Sequence, residues 1–163
     1  MEQQKSAAPA GRGAGGVPAQ SLYSGVQQAH QALRQALARA FSQAGIQITP
    51  EQYSVLAALK QADGVSQAYL ARITHRDRPG ISRLLESLQR LGLVASGADQ
   101  DDRRARRVVL TESGHRSCER IAPLIEQVVA TALAGIGSRE RADTSEALRR
   151  IHSNLRGENP VLR

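Results

Sequence analysis

From Leu22 onward, apolar side chains return every three or four positions, at Leu22, Val26, Ala29, Leu33, Leu37 and Ala40. That spacing draws one stripe along a helix, and Gly45 ends it. Thr49-Pro50-Glu51-Gln52 reads as a helix start, with a threonine cap, a first-turn proline and a glutamine where a capping box closes. The helix it opens carries Tyr53, Leu56 and Leu59 inward and stops at Asp63-Gly64. Ser66 caps a shorter helix with Tyr69, Leu70 and Ile73 inward. Asp77 caps the next, near Asp77 to Leu91, and Pro79 is tolerated in its first turn. Ile81, Leu84, Leu85, Leu88 and Leu91 line one face, and Gly92 stands where a left-handed helix end is expected.

Leu93-Val94 and Arg106 to Leu110 are short strand candidates around a polar tip, residues 97–104, so the unit reads as a hairpin. Thr111 caps a long helix to about Ala134, with Pro123 predicting a kink. Ser138 opens a last helix with Ala142, Ala147, Leu148, Ile151 and Leu155 on one face. Residues 1–20, rich in Ala, Gly, Gln and Pro, bury too little to offset their ordering entropy and are expected to be a disordered tail. The fold class is mainly α with a small β-hairpin wing (α+β). Residues 48–111 form the central unit, and 21–47 and 112–157 are flanking helices whose apolar faces it cannot cover. A second copy would bury both, so a homodimer is expected.

Composition narrows the partners. The 163-residue chain carries a formal charge of +7, and every cation except Lys5 and Lys60 is arginine. The excess biases binding toward polyanions, and the guanidinium fork suits phosphates and guanine edges. Genome composition alone can also enrich arginine. Cys118 is the single cysteine, which excludes an internal disulfide. No apolar stretch reaches bilayer length, and the N-terminal residues lack a signal peptide's apolar core, so a cytoplasmic location is expected.

A short helix followed by a hairpin can touch both grooves of a duplex. The helix fits the major groove, where base edges differ, and the hairpin can place a cation in the minor groove. Opposite its leucines, the helix offers Arg78, Gly80, Ser82, Arg83, Glu86, Ser87 and Arg90, with Arg76 just before it. Taken alone, this is an ordinary amphipathic helix with a solvated face. Arg103, Arg104, Arg106 and Arg107 change the picture, because like charges clustered at a hairpin repel. Pairing with Asp99, Asp101 and Asp102 offsets this only weakly, since exposed ion pairs contribute about 0–1 kcal/mol.

These segments resemble the MarR family, the multiple-antibiotic-resistance type regulators. Residues 48–56 are similar to the start of that family's second helix, and 65–71 to its next. Residues 77–85 and 88–94 resemble its recognition helix and following strand. Asp102-Arg103-Arg104 with Leu110-Thr111-Glu112-Ser113-Gly114 resembles its wing motif. The resemblance runs from about Leu22 to Leu155 and implies a winged helix-turn-helix dimer binding a pseudopalindromic DNA operator, most often as a repressor. It implies that Arg104 enters the minor groove while Asp102 braces it, and that a small effector, often an aromatic acid or phenol, binds between the dimer helices and the winged domain. The expected DNA-contacting set is Arg76, Arg78, Gly80, Ser82, Arg83, Glu86, Ser87, Arg90, Asp102, Arg103, Arg104 and Arg106. Pro79-Gly80 departs from the hydroxyl residues the family often carries there, which shifts weight to Ser82, Arg83 and DNA shape. Ser96 likewise stands near a frequent arginine.

Other chemistry finds little support. His115 and Cys118 lie one helical turn apart, but two ligands do not make a metal site, and Cys118 reads as a buried inert thiol. His30, His75 and His152 have no ligand-like spacing to a carboxylate or cysteine and read as surface or interface residues. No phosphate loop, nucleophile elbow or zinc-protease signature occurs, so no enzyme, cofactor or metal is expected. The rival readings are a non-specific nucleoid or architectural DNA-binding protein, and an apolar-faced protein-interaction module that has lost DNA binding, against which Asp102 and Arg104 speak.

Overall fold

The computed structural model describes residues 18–62, 64–98 and 106–156. Among them run α1 (Ala19–Gln43), α2 (Pro50–Gln61), β1 (Val65–Ser66), α3 (Gln67–Ile73), α4 (Arg78–Arg90), β2 (Val94–Ala98), β3 (Arg106–Leu110), α5 (Glu112–Ala132) and α6 (Ser138–Leu155). The chain divides into two units, residues 1–32 and 33–163. No described helix is long and apolar enough to cross a membrane.

In the first unit, α1 starts at Ala19, inside the span expected to be tail, because the Pro18 carbonyl accepts from the Ser21 and Leu22 amides. Leu22, Tyr23 and Val26 are exposed there.

The second unit holds the core. Phe41, Val55, Leu56, Leu59, Leu70, Ile81, Leu88 and Ile121 are sealed from solvent. Each such aliphatic side chain contributes about 1.5–3 kcal/mol by leaving water. The Phe41 ring meets Tyr53 edge-on at 6.1 Å, so even a core this poor in aromatics gains one oriented pair. The predicted start of α2 is realised in full: the Gln52 amide donates to the Thr49 hydroxyl at 3.2 Å, and the Thr49 amide donates to Gln52 Oε1 at 2.8 Å.

The expected hairpin is part of a three-stranded antiparallel sheet of order β1-β3-β2. β2 and β3 pair from Val94↔Leu110 to Ala98↔Arg106, and β1 adds Val65↔Val108 and Ser66↔Arg107. A two-residue strand that ends in a helix cap carries no alternation, so periodicity does not reveal the third strand. Val94, Val108 and Leu110 face the core.

The join between the winged unit and α5 explains the Leu110 to Gly114 run. The Thr111 hydroxyl accepts from the Gly114 amide at 3.0 Å and donates to the Gly92 carbonyl at 2.7 Å, while the Thr111 amide donates to the Leu93 carbonyl at 3.1 Å. One threonine thus caps α5 and ties it to the end of α4. Gly92 has φ +67°, the left-handed geometry predicted for it. Gly114 is needed for a different reason: a Cβ there would lie 2.1 Å from the Leu93 carbonyl oxygen.

One helix-face expectation changes. Leu91 is the C-cap of α4 and is 40% exposed instead of lining its buried face, because the helix ends one residue earlier. α6 is amphipathic as predicted and, as expected of a face the central unit cannot cover, buries no residue, with Leu148 and Leu155 exposed.

Candidate nucleic-acid interface

The α4 helix separates its two faces sharply. Ile81, Leu85 and Leu88 are buried and seat it, whereas Arg78, Arg83, Glu86 and Arg90 are exposed on the other side. Its N-terminus is closed by the Asp77 carboxylate, which accepts from the Gly80 amide at 3.1 Å. A Cβ on residue 80 would stand 2.4 Å from that carboxylate oxygen, so glycine permits the close cap. The carboxylate also answers the positive end of the helix dipole. Arg78 is the exposed cation at this end of the helix.

Three glutamine–serine pairs hold α4 in place. Gln52 Nε2 on α2 donates to Ser87 Oγ at 2.8 Å. Gln89 Nε2 donates to Ser96 Oγ on β2 at 2.5 Å. Gln67 Nε2 on α3 donates to Ser82 Oγ, which itself donates to the Arg78 carbonyl at 3.0 Å. Of the expected DNA-contacting residues, Ser82 and Ser87 are thus half-buried with their hydroxyls engaged by neighbouring helices. The glutamines were absent from that expectation. Only Gln52 left a local signal, as the closing residue of a capping box, because the serines they bond lie 7 to 35 residues away.

The turn before α4 is anchored on two sides. Arg76 is half-buried, its Nε shielded and without a hydrogen bond among the described residues. Burial alone would push the Glu51 carboxyl up. Hydrogen bonds from its own backbone and Thr49, with the positive charges of Arg34 and Arg76, bring it below the ordinary range. Arg34 Nη1 stands 3.7 Å from Glu51 Oε1. His75 adopts φ +55°, and its ring lies 4.3 Å, centroid to centroid, from that of His152 on α6.

On the wing, Arg106 begins β3 opposite Ala98. Arg107 turns back to the domain, its Nη1 donating to the Gly64 carbonyl at 3.0 Å, so it clamps the turn after α2. Asp102, Arg103 and Arg104 lie outside the described residues.

A half-open cleft of about 220 Å³ lies on the same unit, lined among others by Ile46, Ile48, Leu91, Leu93, Ser117 and Arg120. It joins the α1–α2 loop, the end of α4 and the first turns of α5. Cys118, also on α5, is buried, and that burial pushes its thiol up, away from the reactive thiolate. Burial likewise raises the Tyr53 hydroxyl, with the nearby Cys118 and Glu126 adding to the shift.

A sequence model of the MarR family matches residues 46–105, a span that includes α2, α3, α4 and β2. The chain is 32% identical over 113 residues to the transcriptional activatory protein BadR of Rhodopseudomonas palustris, covering 67% of this chain and 65% of that one. It is 31% identical over 105 residues to the HTH-type transcriptional repressor NicR of Pseudomonas putida, covering 64% of this chain and 66% of that one. The chain therefore spans just under two thirds of the length of these relatives. Among solved structures, BpsR of Bordetella bronchiseptica, whose DNA binding is described as regulated by 6-hydroxynicotinic acid, superposes with a TM-score of 0.73 at 24% identity. That likeness covers 81% of this chain and 98% of BpsR.

Proposed function

Because this chain belongs to the MarR family, we propose that it works as a dimeric, ligand-responsive transcription regulator that binds a pseudopalindromic operator in duplex DNA. One observation carries the reading. The exposed face of α4, with Arg78, Arg83, Glu86 and Arg90, belongs to the same small domain as the arginine-bearing hairpin β2–β3, and its opposite face is sealed in the core. The residues that reach DNA are those four with Arg76, Gly80 through its backbone, and the wing residues Asp102, Arg103, Arg104 and Arg106. Arg104 enters the minor groove, braced by Asp102. Ser82 and Ser87 contribute by holding the helix.

The second copy covers the exposed apolar faces of the terminal helices, Leu22 and Val26 at one end and Leu148 and Leu155 at the other. Two-fold symmetry then demands half-sites about one helical turn apart. The effector is a small aromatic acid or phenol, the chemical class of the 6-hydroxynicotinic acid that regulates BpsR. The cleft at Arg120 suits it: apolar walls for one ring, a guanidinium for a carboxylate, and a volume below the 300–1,000 Å³ of drug-sized sites. An occupant there presses on Leu91 and Leu93, next to the end of α4, and so changes how the two recognition helices match the groove repeat. BadR is named an activator and NicR a repressor. Repression follows where the operator overlaps the promoter. A regulator of this kind works on chromosomal DNA in the cytoplasm and needs no catalytic group.

Selection of bound genomic fragments by the purified protein, repeated with candidate aromatic acids, tests the whole reading. The expected result is one two-fold symmetric motif, bound roughly a thousandfold better than bulk DNA and released by an acid. Equal retention of all fragments would instead identify a nucleoid protein.

A further inference from the structure

We infer that Gln67, on the helix before α4, is a specificity-determining residue that reads an adenine, and that Ser82 is the group that aims it. The inference rests on the DNA-binding reading above and names the chemistry at one point of that surface.

Ser82 belongs to the outward stripe that also carries Arg78 and Glu86, where a base-reading hydroxyl would be sought. Its single donor is engaged by the Arg78 carbonyl at 3.0 Å. The hydroxyl can then only accept, and Gln67 Nε2 supplies the hydrogen. The carboxamide accordingly turns its nitrogen to Ser82, since its oxygen end offers no hydrogen to a hydroxyl whose own proton goes to Arg78. Ser82 alone therefore has little left to tell one base from another.

Gln67 has more. It is the first residue of α3 and half-buried, and among the described residues its Oε1 and second Nε2 hydrogen make no hydrogen bond. A donor and an acceptor on one planar amide match the N7 acceptor and N6 donor of adenine in the major groove. Holding the amide by its other hydrogen removes rotamer freedom before DNA arrives, so less entropy is lost on binding.

The test compares the motif selected from a randomised duplex library by wild-type protein with those selected by Gln67→Ala, Gln67→Glu and Ser82→Ala. Wild type is expected to prefer A·T at one position of each half-site by tenfold or more. Gln67→Ala should lose preference at that position alone. Gln67→Glu, an acceptor only, should move it toward cytosine, whose N4 donates. Ser82→Ala should weaken the adenine preference without creating a new one. Equal loss on every sequence in Gln67→Ala, or an unaltered motif in Gln67→Glu, overturns the inference while leaving the DNA-binding reading intact. A wild-type protein that selects no motif overturns that reading instead.

Discussion

Gln52 and Ser87 lock α2 to α4: the Gln52 carboxamide gives its hydrogen to Ser87 at 2.8 Å while its oxygen takes the Thr49 amide, also at 2.8 Å. One buried side chain therefore closes a helix start and ties it to α4, the helix proposed to face DNA. Among the described residues, Gln52 is the one buried polar side chain in the core, and its polar atoms are matched.

Gln52→Ala removes the cap partner and leaves the Ser87 hydroxyl half-buried beside a gap. The expected cost is about 1–3 kcal/mol. Urea unfolding should show a lower midpoint with little change in slope. Ser87→Ala should cost less, because the glutamine keeps its cap bond. An unmoved midpoint in Gln52→Ala would mean that the link contributes nothing.

Gly114→Ala should destabilise by about 1–3 kcal/mol through overpacking. The clash is with backbone, the Leu93 carbonyl at 2.1 Å, and with Leu110 Cδ2 at 3.1 Å, so α5 must shift away from the wing. A thermal melt reads the loss. Wild-type stability in this variant would contradict the close approach.

Stability should fall at alkaline pH. The folded state holds the Cys118 proton more tightly than the unfolded chain does, because burial raises the thiol. Its contribution is complete below the ordinary thiol range, about 8.5, and is lost as pH climbs toward the raised value. Tyr53, raised by burial too, continues the trend higher up. Chemical unfolding across this range checks it, and Cys118→Ala should flatten the first part. A thiol reagent at neutral pH should label the native protein far more slowly than the unfolded one, whereas equal rates would show the thiol to be accessible.

Two arginines are expected to divide the DNA contacts. Arg83→Ala, exposed on α4, should relax base preference at a cost of about 1–3 kcal/mol on the best sequence, as measured by competition binding. A uniform loss on all duplexes would make it a phosphate contact. Arg104→Ala should weaken binding without unfolding the protein and reduce the salt slope by about 0.9 if one phosphate-like contact is lost. Unchanged affinity would remove the wing from the mechanism.

The local features of this protein were legible because they depend on residues within a turn of one another. Thr49, Ser66, Asp77 and Thr111 cap the helices the sequence predicts, and Gly92 takes the left-handed turn. The leucine period of α4 likewise identified which face is buried. What joins distant segments was not legible. β1 pairs with β3, Arg107 closes on the Gly64 carbonyl, Gln67 braces Ser82, and His75 meets His152, two histidines whose spacing suggested no relation. A hydrophobic stripe repeats along the chain and so leaves a pattern, whereas a single hydrogen bond across the fold repeats nowhere. Such contacts exist only once the core has brought the helices together, and they decide which polar side chains of α4 are engaged by its neighbours.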